Sequence, residues 1–560
     1  MIEEKPYYKV DYDFKNQSPW VRPNRLWEKL HPKGVPKTIK YPEIPIHYIG
    51  REAARKYPHN LAIYFVPEEK KYTYRELMHW SDTIAAGLAD MGVEKSRGVG
   101  IYMTNSPEFI FSVYGISQNG AVAIPINPML KPSDIEYIVN DSGIMDTLIC
   151  SSSLYPNIEK VREKIEIENI IVCGEKRPGT TSLKELMEKY PAKPPEVEIN
   201  PKEDLCVIMY TGGTTGLPKG VMQTHYNIVS NVYQLIGIEP NSPQEEGRIS
   251  CITVLPMCHI FGFSQVQLYI AQRAMMILYT GFDPEQVMKA VEMYRTENFI
   301  GIPLMFQFLI NDPNFQKYDL SSLYRVISGT APIPEELIKK WKEIVGSDVG
   351  QAYGLSEASP ATHMNPTWLS KKGLSIGIPV IDTDVKIVDV DTRSKELPTG
   401  EVGELMVKGP QVMKGYWKKP EKTEETLEDG WLHTSDLAYM DEKGYFYIVG
   451  RQSDMIKYKG YKVLPDEVED KLYQHSAVFE CAVVGVPEPE IGETIKAFVV
   501  VKEEYKGKIT ENELKDWAKN EMAGYKWPRI VEFTDKIPRT PIGKVHRKLL
   551  REQEMKNHTH

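Results

Sequence analysis

The chain has 560 residues, of which 41% are hydrophobic and 26% charged, and its formal net charge is −9. This length exceeds one ordinary core and predicts roughly two to four domains, while the negative charge argues against a nucleic-acid coat. The six cysteines form no CxxC pair, so reduced, packed thiols in a cytoplasmic protein are expected. No signal-peptide pattern and no apolar run of about 18 residues occurs, so no membrane span is predicted.

Residues 1 to about 45 are rich in proline, aromatic and charged residues, which predicts an irregular arm over the main body. Helix and strand signals then alternate. Capping-box spacings predict helix starts at Thr73–Glu76, Ser133–Glu136 and Ser182–Glu185. Short apolar runs predict strands at 99–103, 121–124, 147–150 and 170–173. This alternation predicts an α/β fold with mainly parallel sheets and helices on both faces.

A glycine-rich segment, Tyr210–Gly220 (YTGGTTGLPKG), follows the apolar run Leu205–Met209. Glycines allow close backbone approach to a ligand, and successive N–H groups form a concavity that suits phosphate oxygens. The threonine hydroxyls and Lys219 add donors and positive charge. Lys219 lies between Pro218 and Gly220, so the segment is neither a Walker A motif nor a GxGxxG fingerprint. It predicts a triphosphate site on another scaffold, with a flexible surface turn as the alternative.

Two later segments combine strand ends with polar side chains. LPMCHIFGF, residues 255–263, contains His259, which by itself indicates a core histidine more often than a pocket residue. QAYGLSEAS, residues 351–359, follows the strand and glycine turn VISGTAP. Tyr353 can stack on adenine, Ser356 can bond a phosphate, and the Glu357 carboxylate suits Mg²⁺. A capped turn is the alternative for this segment.

The last third of the chain becomes β-rich from 386 to 407, which predicts a small antiparallel subdomain that closes the large domain. Asp436 lies in GWLHTSDL and by itself fits an exposed turn. GRQSDMIKYKGYKV, residues 450–463, contains a basic cluster and marks a predicted domain boundary, with a solvated charged face as the alternative. A compact α+β tail is predicted, with a helix that begins at Pro465, a capping box at Thr510–Glu513, and Lys544 on a glycine turn.

These segments, in this order, resemble the acyl-adenylate-forming superfamily: acyl-CoA synthetases, luciferases and peptide-synthetase adenylation domains. The glycine loop is similar to TSGTTGxPKG with Gly212 in place of serine, and 351–359 is similar to YGxTE with Ser356 in place of threonine. Ser453, followed by Asp454, stands where the hinge of the family normally carries aspartate or lysine. The resemblance covers nearly the whole chain.

The resemblance implies an N-terminal adenylate-forming domain over 1–451, which binds ATP and the acid, and a mobile C-terminal domain over 452–560. It implies that Lys544, Glu357, Thr214 and His259 are catalytic, that Glu357 and Thr214 hold Mg²⁺, and that His259 and Phe263 border the acyl group. The implied nucleotide and CoA residues are Thr211, Gly212, Gly213, Thr214, Thr215, Gly216, Lys219, Gly329, Thr330, Ala331, Gln351, Ala352, Tyr353, Gly354, Leu355, Ser356, Glu357, Asp436, Arg451, Lys457, Lys459, Gly460, Tyr461 and Lys544.

The implied reaction converts a carboxylic acid and ATP to acyl-AMP and then transfers the acyl group to CoA. ATP, Mg²⁺ and coenzyme A are the implied cofactors, and a medium- to long-chain fatty acid is the expected substrate. Three alternatives stay open: a short-chain, hydroxy- or aryl-acid CoA ligase, an adenylating enzyme with another acceptor, and a non-catalytic nucleotide- or lipid-binding protein. The oligomeric state is open, with a homodimer as one option.

Overall fold

The computed structural model describes residues 25–212, 217–239, 249–488, 491–540 and 544–557. Among these residues, the helices are α1 (His47–Lys56), α2 (Tyr74–Asp90), α3 (Pro107–Gln118), α4 (Pro132–Ser142), α5 (Tyr155–Glu159), α6 (Leu183–Lys189), α7 (His225–Gly237), α8 (Ile260–Ala271), α9 (Pro284–Tyr294), α10 (Pro303–Asn311), α11 (Glu335–Val345), α12 (Pro420–Thr426), α13 (Pro465–Leu472), α14 (Glu511–Glu521) and α15 (Arg547–Asn557).

The strands of the first half are β1 (Leu61–Phe65), β2 (Lys70–Thr73), β3 (Gly98–Tyr102), β4 (Val122–Pro125), β5 (Met145–Ser151), β6 (Asn169–Cys173), β7 (Thr181–Ser182), β8 (Leu205–Thr211), β9 (Lys219–Thr224), β10 (Ser250–Thr253) and β11 (Met275–Leu278). Those of the second half are β12 (Asn298–Gly301), β13 (Arg325–Ser328), β14 (Val349–Gly354), β15 (Ala361–Met364), β16 (Ile378–Pro379), β17 (Asp384–Val388), β18 (Gly403–Lys408), β19 (Gly415–Tyr416), β20 (Leu427–Glu428), β21 (Trp431–Met440), β22 (Phe446–Arg451), β23 (Ile456–Tyr458), β24 (Tyr461–Val463), β25 (Val478–Glu488), β26 (Gly492–Val501) and β27 (Ile530–Phe533).

Two large sheets form the body, and both are parallel in their centres. One has the order β16-β15-β14-β13-β12-β10-β11-β1-β2, and the other has the order β19-β9-β8-β4-β3-β5-β6-β7. Parallel strands covered on both faces need continuous apolar runs, and β3 is buried along its whole length. The predicted α/β body with mainly parallel sheets is therefore confirmed.

Two smaller sheets complete the chain. The third sheet, β17-β18-β21-β20 with β22 beside β21, pairs its strands antiparallel, as expected for the β-rich subdomain. The fourth sheet, β24-β23-β26-β25 with β27 parallel to β26, has its own apolar core with α13 and α14. The chain passes from the third sheet to the fourth through a short 3-10 turn at Gln452–Asp454.

Three predicted helix starts are confirmed, because Thr73, Ser182 and Thr510 accept hydrogen bonds at the N-caps of α2, α6 and α14. The start predicted at Ser133 is wrong. Helix α4 begins at Pro132, and the Asp134 carboxylate accepts from the N–H of Lys131 at 3.0 Å. Proline at the first helical position with aspartate two residues later is the stronger signal, since proline needs no N–H partner there.

The described part of the arm, residues 25–45, packs over the body as predicted. Trp27 is buried edge-on against Phe446, with ring centroids 5.6 Å apart, and buried Arg25 pairs with Asp384 at 2.8 Å. Residues 1–24 lie outside the described part. All six cysteines are free thiols. Among the described residues, none of the helices combines the length and apolar character that crossing a membrane requires.

Candidate active site

The glycine-rich segment connects two antiparallel strands, β8 and β9, where Thr211 is paired with Lys219. Thr211 ends β8, Gly212 follows it, and Lys219 begins β9. The predicted residues Gly213, Thr214, Thr215 and Gly216 lie outside the described residues. The strand after the segment is antiparallel, whereas a Walker A loop runs into a helix, so the expectation of another scaffold is confirmed.

Lys219 and Glu357 both contact one tyrosine, Tyr416, which the sequence alone did not single out. The Lys219 ammonium lies 4.9 Å from the centre of the Tyr416 ring, and the Tyr416 hydroxyl donates to Glu357 Oε1 at 2.7 Å. Burial, and then Lys422, lowers the pKa of Lys219. Tyr416 thus connects the predicted phosphate lysine with the predicted metal carboxylate.

The carboxyl ends of β13 and β14 carry the next predicted residues. The turn Gly329–Ala331 follows β13, and Thr330 has a φ of +72°. Gln351, Ala352, Tyr353 and Gly354 lie in β14, before Leu355 and Ser356. A side chain on Gly354 would place its Cβ 2.0 Å from the backbone oxygen of Pro360, so only glycine fits there.

Two unpartnered donors lie side by side on β13 and β14, where Ser328 is paired with Gln351. The Ser328 hydroxyl and the Gln351 Nε2 amide are buried and make no hydrogen bond to any residue that the structure describes. Buried polar groups normally have partners, so two orphans on adjacent strands indicate a place for a polar ligand. The carboxyl ends of parallel strands are where open α/β sheets bind their ligands.

Asp436 and Arg451 are brought together by register, since they are Cα partners on β21 and β22. The buried Asp436 accepts from Arg451 Nε at 2.8 Å on one oxygen and from the Tyr353 hydroxyl at 2.6 Å on the other. The Asp436 charge raises the pKa of Arg451. Burial, and then Asp436, raises the pKa of Tyr353 well above its usual range. If a ribose bound at Asp436, its hydroxyls would donate to the carboxylate in place of Tyr353 and Arg451.

Lys544 approaches this cluster from the tail, between β27 and α15. Its backbone C=O accepts from the N–H of Thr540 at 2.7 Å, and its own N–H donates to the Thr540 hydroxyl at 3.2 Å. Burial, and then Arg451, lowers the pKa of Lys544 to about 8, while Asp436 and Glu357 act in the opposite direction. Residues far apart in the second half of the chain therefore share one electrostatic environment.

His259 also lies within the field of Lys544. Burial, and then the Lys544 charge, lowers the pKa of His259 to about 4. The N–H of Met257, just upstream, donates to buried Asn105 at 2.9 Å, and a Cβ on Gly262 would lie 2.3 Å from the oxygen of Pro256. The segment before α8 is thus tightly constrained.

Two aromatic residues of α8 differ in position from one another. Phe263 is 1% exposed and belongs to the main core. Phe261, which the sequence reading did not single out, is half-buried, and a Cβ on Gly329 would meet its ring at 3.0 Å. The sequence alone does not predict which of the two rings is fully buried.

The predicted CoA-side residues form a separate hairpin of β23 and β24. Tyr458 pairs with Tyr461, and the two residues between them have positive φ, +48° at Lys459 and +82° at Gly460. Two such residues form the tight turn that a two-residue hairpin requires. Exposed Tyr461 stacks on Tyr525 with centroids 4.6 Å apart, and the N–H of Lys457 donates to Glu493 at 2.7 Å. These contacts lie within the C-terminal lobe.

The predicted hinge is held by α15. The Arg551 guanidinium donates to the backbone oxygens of Ser453 and Asp454 at 3.2 and 3.0 Å. One turn earlier, Arg547 lies 3.7 Å from the Asp454 carboxylate and contacts Glu469 at 2.7 Å. The sequence reading did not identify these arginines.

A family model described as "AMP-binding enzyme" matches residues 50–417, and its C-terminal domain model matches 467–544. The long-chain-fatty-acid–CoA ligase of Bacillus subtilis (strain 168) is 34% identical over 96% of this chain and 100% of its own length. That of Escherichia coli O6:H1 is 34% identical over 94% of this chain and 98% of its own. Both relatives carry the name CoA ligase.

Solved structures agree over nearly the whole chain. The anthranilate CoA ligase AuaEII, in complex with anthranoyl-AMP, has a TM-score of 0.84 at 28% identity, covering 92% of this chain and 98% of its own. ATP-bound MatB from Rhodopseudomonas palustris has a TM-score of 0.82 at 29% identity, and apo MatB has 0.73 at 28%. Both cover 91% of this chain and 99% of their own.

The fold and the site define an enzyme class that activates carboxylates with a nucleotide. The chain belongs to the AMP-binding enzyme family of the adenylate-forming superfamily. Within that superfamily it is an AMP-forming acid–CoA ligase, which uses ATP and takes CoA as co-substrate.

Proposed function

We propose that this enzyme activates a medium- to long-chain fatty acid as acyl-AMP and passes the acyl group to CoA. The observation that carries the proposal is the Tyr353–Asp436–Arg451 cluster, whose charges act on buried Lys544 together with Glu357, although these groups are separated by up to nearly two hundred residues of sequence. The full-length similarity to the long-chain ligases supports the choice of acid. The six free cysteines support work in the reducing cytoplasm.

In the first half-reaction, the acid's carboxylate attacks the α-phosphate of ATP, a mixed anhydride forms, and pyrophosphate leaves. The barrier is the approach of two anions. We propose that Lys544 is the cation that meets both anions, because its ammonium is buried within the electrostatic influence of Glu357, Asp436 and Arg451. Preorganised charge aimed at the reacting oxygens is a large source of rate acceleration.

Glu357 is the residue proposed to hold Mg²⁺. Tyr416 engages only Oε1 of this carboxylate, which leaves the second oxygen for a cation. Among the described residues, no cluster of three or more His, Cys, Asp or Glu side chains could hold a metal alone. This fits Mg²⁺, which commonly takes one or two carboxylates together with substrate phosphates. Bound there, the ion would neutralise charge on the departing pyrophosphate, and we propose that Thr214 contributes a second oxygen.

The second half-reaction requires a different arrangement of the chain. We propose that the domains are 1–451 and 452–560, that they pivot near Ser453, and that rotation withdraws Lys544 and brings Gly460 forward to line the CoA channel. The change of sheet at Gln452–Asp454 supports this boundary. The higher TM-score to ATP-bound MatB than to apo MatB supports an arrangement suited to adenylation in the present structure.

An aryl acid is the second candidate substrate. The observation that favours it is the similarity to AuaEII with its bound anthranoyl-AMP. The half-buried ring of Phe261 beside Gly329 would also suit a flat acid, because aromatic rings stack favourably.

A panel of acids tests the proposal. Purified enzyme with ATP, Mg²⁺ and CoA is assayed for AMP and pyrophosphate release with short, medium, long-chain and aryl acids. The highest kcat/KM is expected for fatty acids of medium to long chain. A preference for benzoate-type acids would select the second candidate, and acyl-AMP accumulation despite excess CoA would refute CoA as the acceptor. No turnover with any acid would favour a binding protein.

A further inference from the structure

Asn127 lies two residues beyond β4 and contacts His259 at the edge of the site. Its backbone C=O accepts from the N–H of Leu130 at 3.1 Å, which closes a four-residue turn around Pro128. Its side-chain Oδ1 accepts from the N–H of Met129 at 2.8 Å within the same turn. Asparagine commonly bonds its own backbone two residues on, and here that bond immobilises the amide.

This anchoring decides which Asn127 atom faces the imidazole. A backbone N–H can only donate, so Met129 requires the amide oxygen, and the NH₂ group points away from the turn. Asn127 Nδ2 lies 3.0 Å from His259 Nε2. Because the amide nitrogen also only donates, Nε2 must accept, and the ring proton must be on Nδ1. An imidazolium would place two donors against each other.

We propose that Asn127 is a positioning residue that holds His259 in one orientation as a neutral imidazole at the wall of the acid pocket. The placement of His259 at the wall of the acid pocket rests on the proposed function. The tautomer of His259 rests only on the hydrogen-bond geometry. Lys544 is the charged group whose field acts on His259, and it disfavours a second cation there.

The consequence concerns where positive charge meets the substrate. A protonated His259 would compete with Lys544 for the acid's carboxylate and would repel the ammonium from it. A neutral His259 leaves that carboxylate to Lys544, the group that also approaches Asp436 and Glu357. The Asn127 turn therefore keeps the catalytic charge on the mobile C-terminal lobe, which can remove it between half-reactions.

The first test reads the tautomer directly in the intact enzyme without substrates. Protein labelled with ¹⁵N-histidine is studied by NMR, and the His259 signal is identified by its loss in His259→Gln. Between about pH 5 and 8, where an ordinary histidine titrates, Nε2 is expected to stay unprotonated and Nδ1 protonated. Protonated Nε2, or titration near the ordinary value, would overturn the proposal whether or not the enzyme uses fatty acids.

The second test reverses the hydrogen bond with Asn127→Asp. One carboxylate oxygen still accepts from Met129, while the other faces Nε2 and requires a proton there. His259 is then expected to become protonated near neutral pH. The pH profile of ATP–pyrophosphate exchange should gain a new step that disappears in Asn127→Asp/His259→Gln.

A matched control is Asn140→Asp, which adds the same charge at an exposed position on α4 and should leave the profile unchanged. An unchanged tautomer in Asn127→Asp would refute the positioning role. In Asn127→Ala, loss of one hydrogen bond is expected to reduce kcat/KM for the acid about fivefold, with thermal stability measured alongside. If Asn127→Asp does not fold, the wild-type tautomer alone decides the question.

Discussion

Lys544→Ala is the most informative perturbation, because it removes the group that joins the two lobes at the site. The pKa of Lys544 is lowered from 10.5 to about 8, chiefly by burial. A tenfold change in proton affinity corresponds to about 1.4 kcal/mol, so carrying the charge at this buried position costs about 3 kcal/mol. The attraction of the ammonium to the incoming carboxylate and the α-phosphate offsets this cost only when both anions are bound.

Adenylation by Lys544→Ala is therefore expected to fall by about 10²- to 10³-fold, the range typical for loss of one preorganised donor. The assay is ATP–pyrophosphate exchange with a saturating acid. Thioester formation from supplied acyl-AMP and CoA is measured separately and is expected to stay within about threefold of wild type, since the proposed rotation withdraws the lysine in that step.

The control is Lys548→Ala, which removes an exposed lysine from the next turn of the chain, where it pairs with Glu552 at 3.8 Å. It should change neither half-reaction. Equal loss of both half-reactions in Lys544→Ala, with an unchanged melting temperature, would refute the assignment of this lysine to adenylation alone.

Three further outcomes are expected. Because the lowered pKa makes Lys544 lose its charge near pH 8 instead of 10.5, kcat/KM for the acid in pyrophosphate exchange should fall as pH rises through about 8; Lys544→Arg should remove this decline, and an unchanged decline would contradict the assignment. Gly460→Trp should abolish thioester formation from supplied acyl-AMP yet spare adenylation, since beyond its chain neighbours no described residue lies within 4 Å of its Cβ position in the present arrangement; its φ of +82° strains any side chain there, so the melting temperature is measured alongside, and survival of both half-reactions would contradict the proposed rotation. Arg551→Ala removes two hydrogen bonds to the hinge carbonyls, and it should slow thioester formation more than adenylation while Arg551→Lys restores part of the rate; equal slowing of both half-reactions, measured in the same two assays, would speak against a pivot at Ser453.

The sequence by itself determined the class of fold and the family. Alternating apolar runs with capping residues at Thr73, Ser182 and Thr510 are local signals, because caps and strand periodicity depend on neighbours a few residues away. The same holds for the glycine-rich segment, whose residue types suit phosphate whatever surrounds them. The error at Ser133 was also local, since the proline directly after Lys131 outweighed a second capping pattern.

Only the tertiary structure decided which side chains share a site. Asp436 meets Arg451 through strand register, and Tyr416 joins Lys219 to Glu357 across three separate elements. It also left Phe261 half-buried beside Gly329 while it buried Phe263, oriented Asn127 toward His259, and placed Arg551 against the backbone of Ser453. Such contacts depend on long-range packing. A shift of one residue in strand register, or a rotation of a helix, moves a side chain from the core to the site or back. No local pattern records that choice.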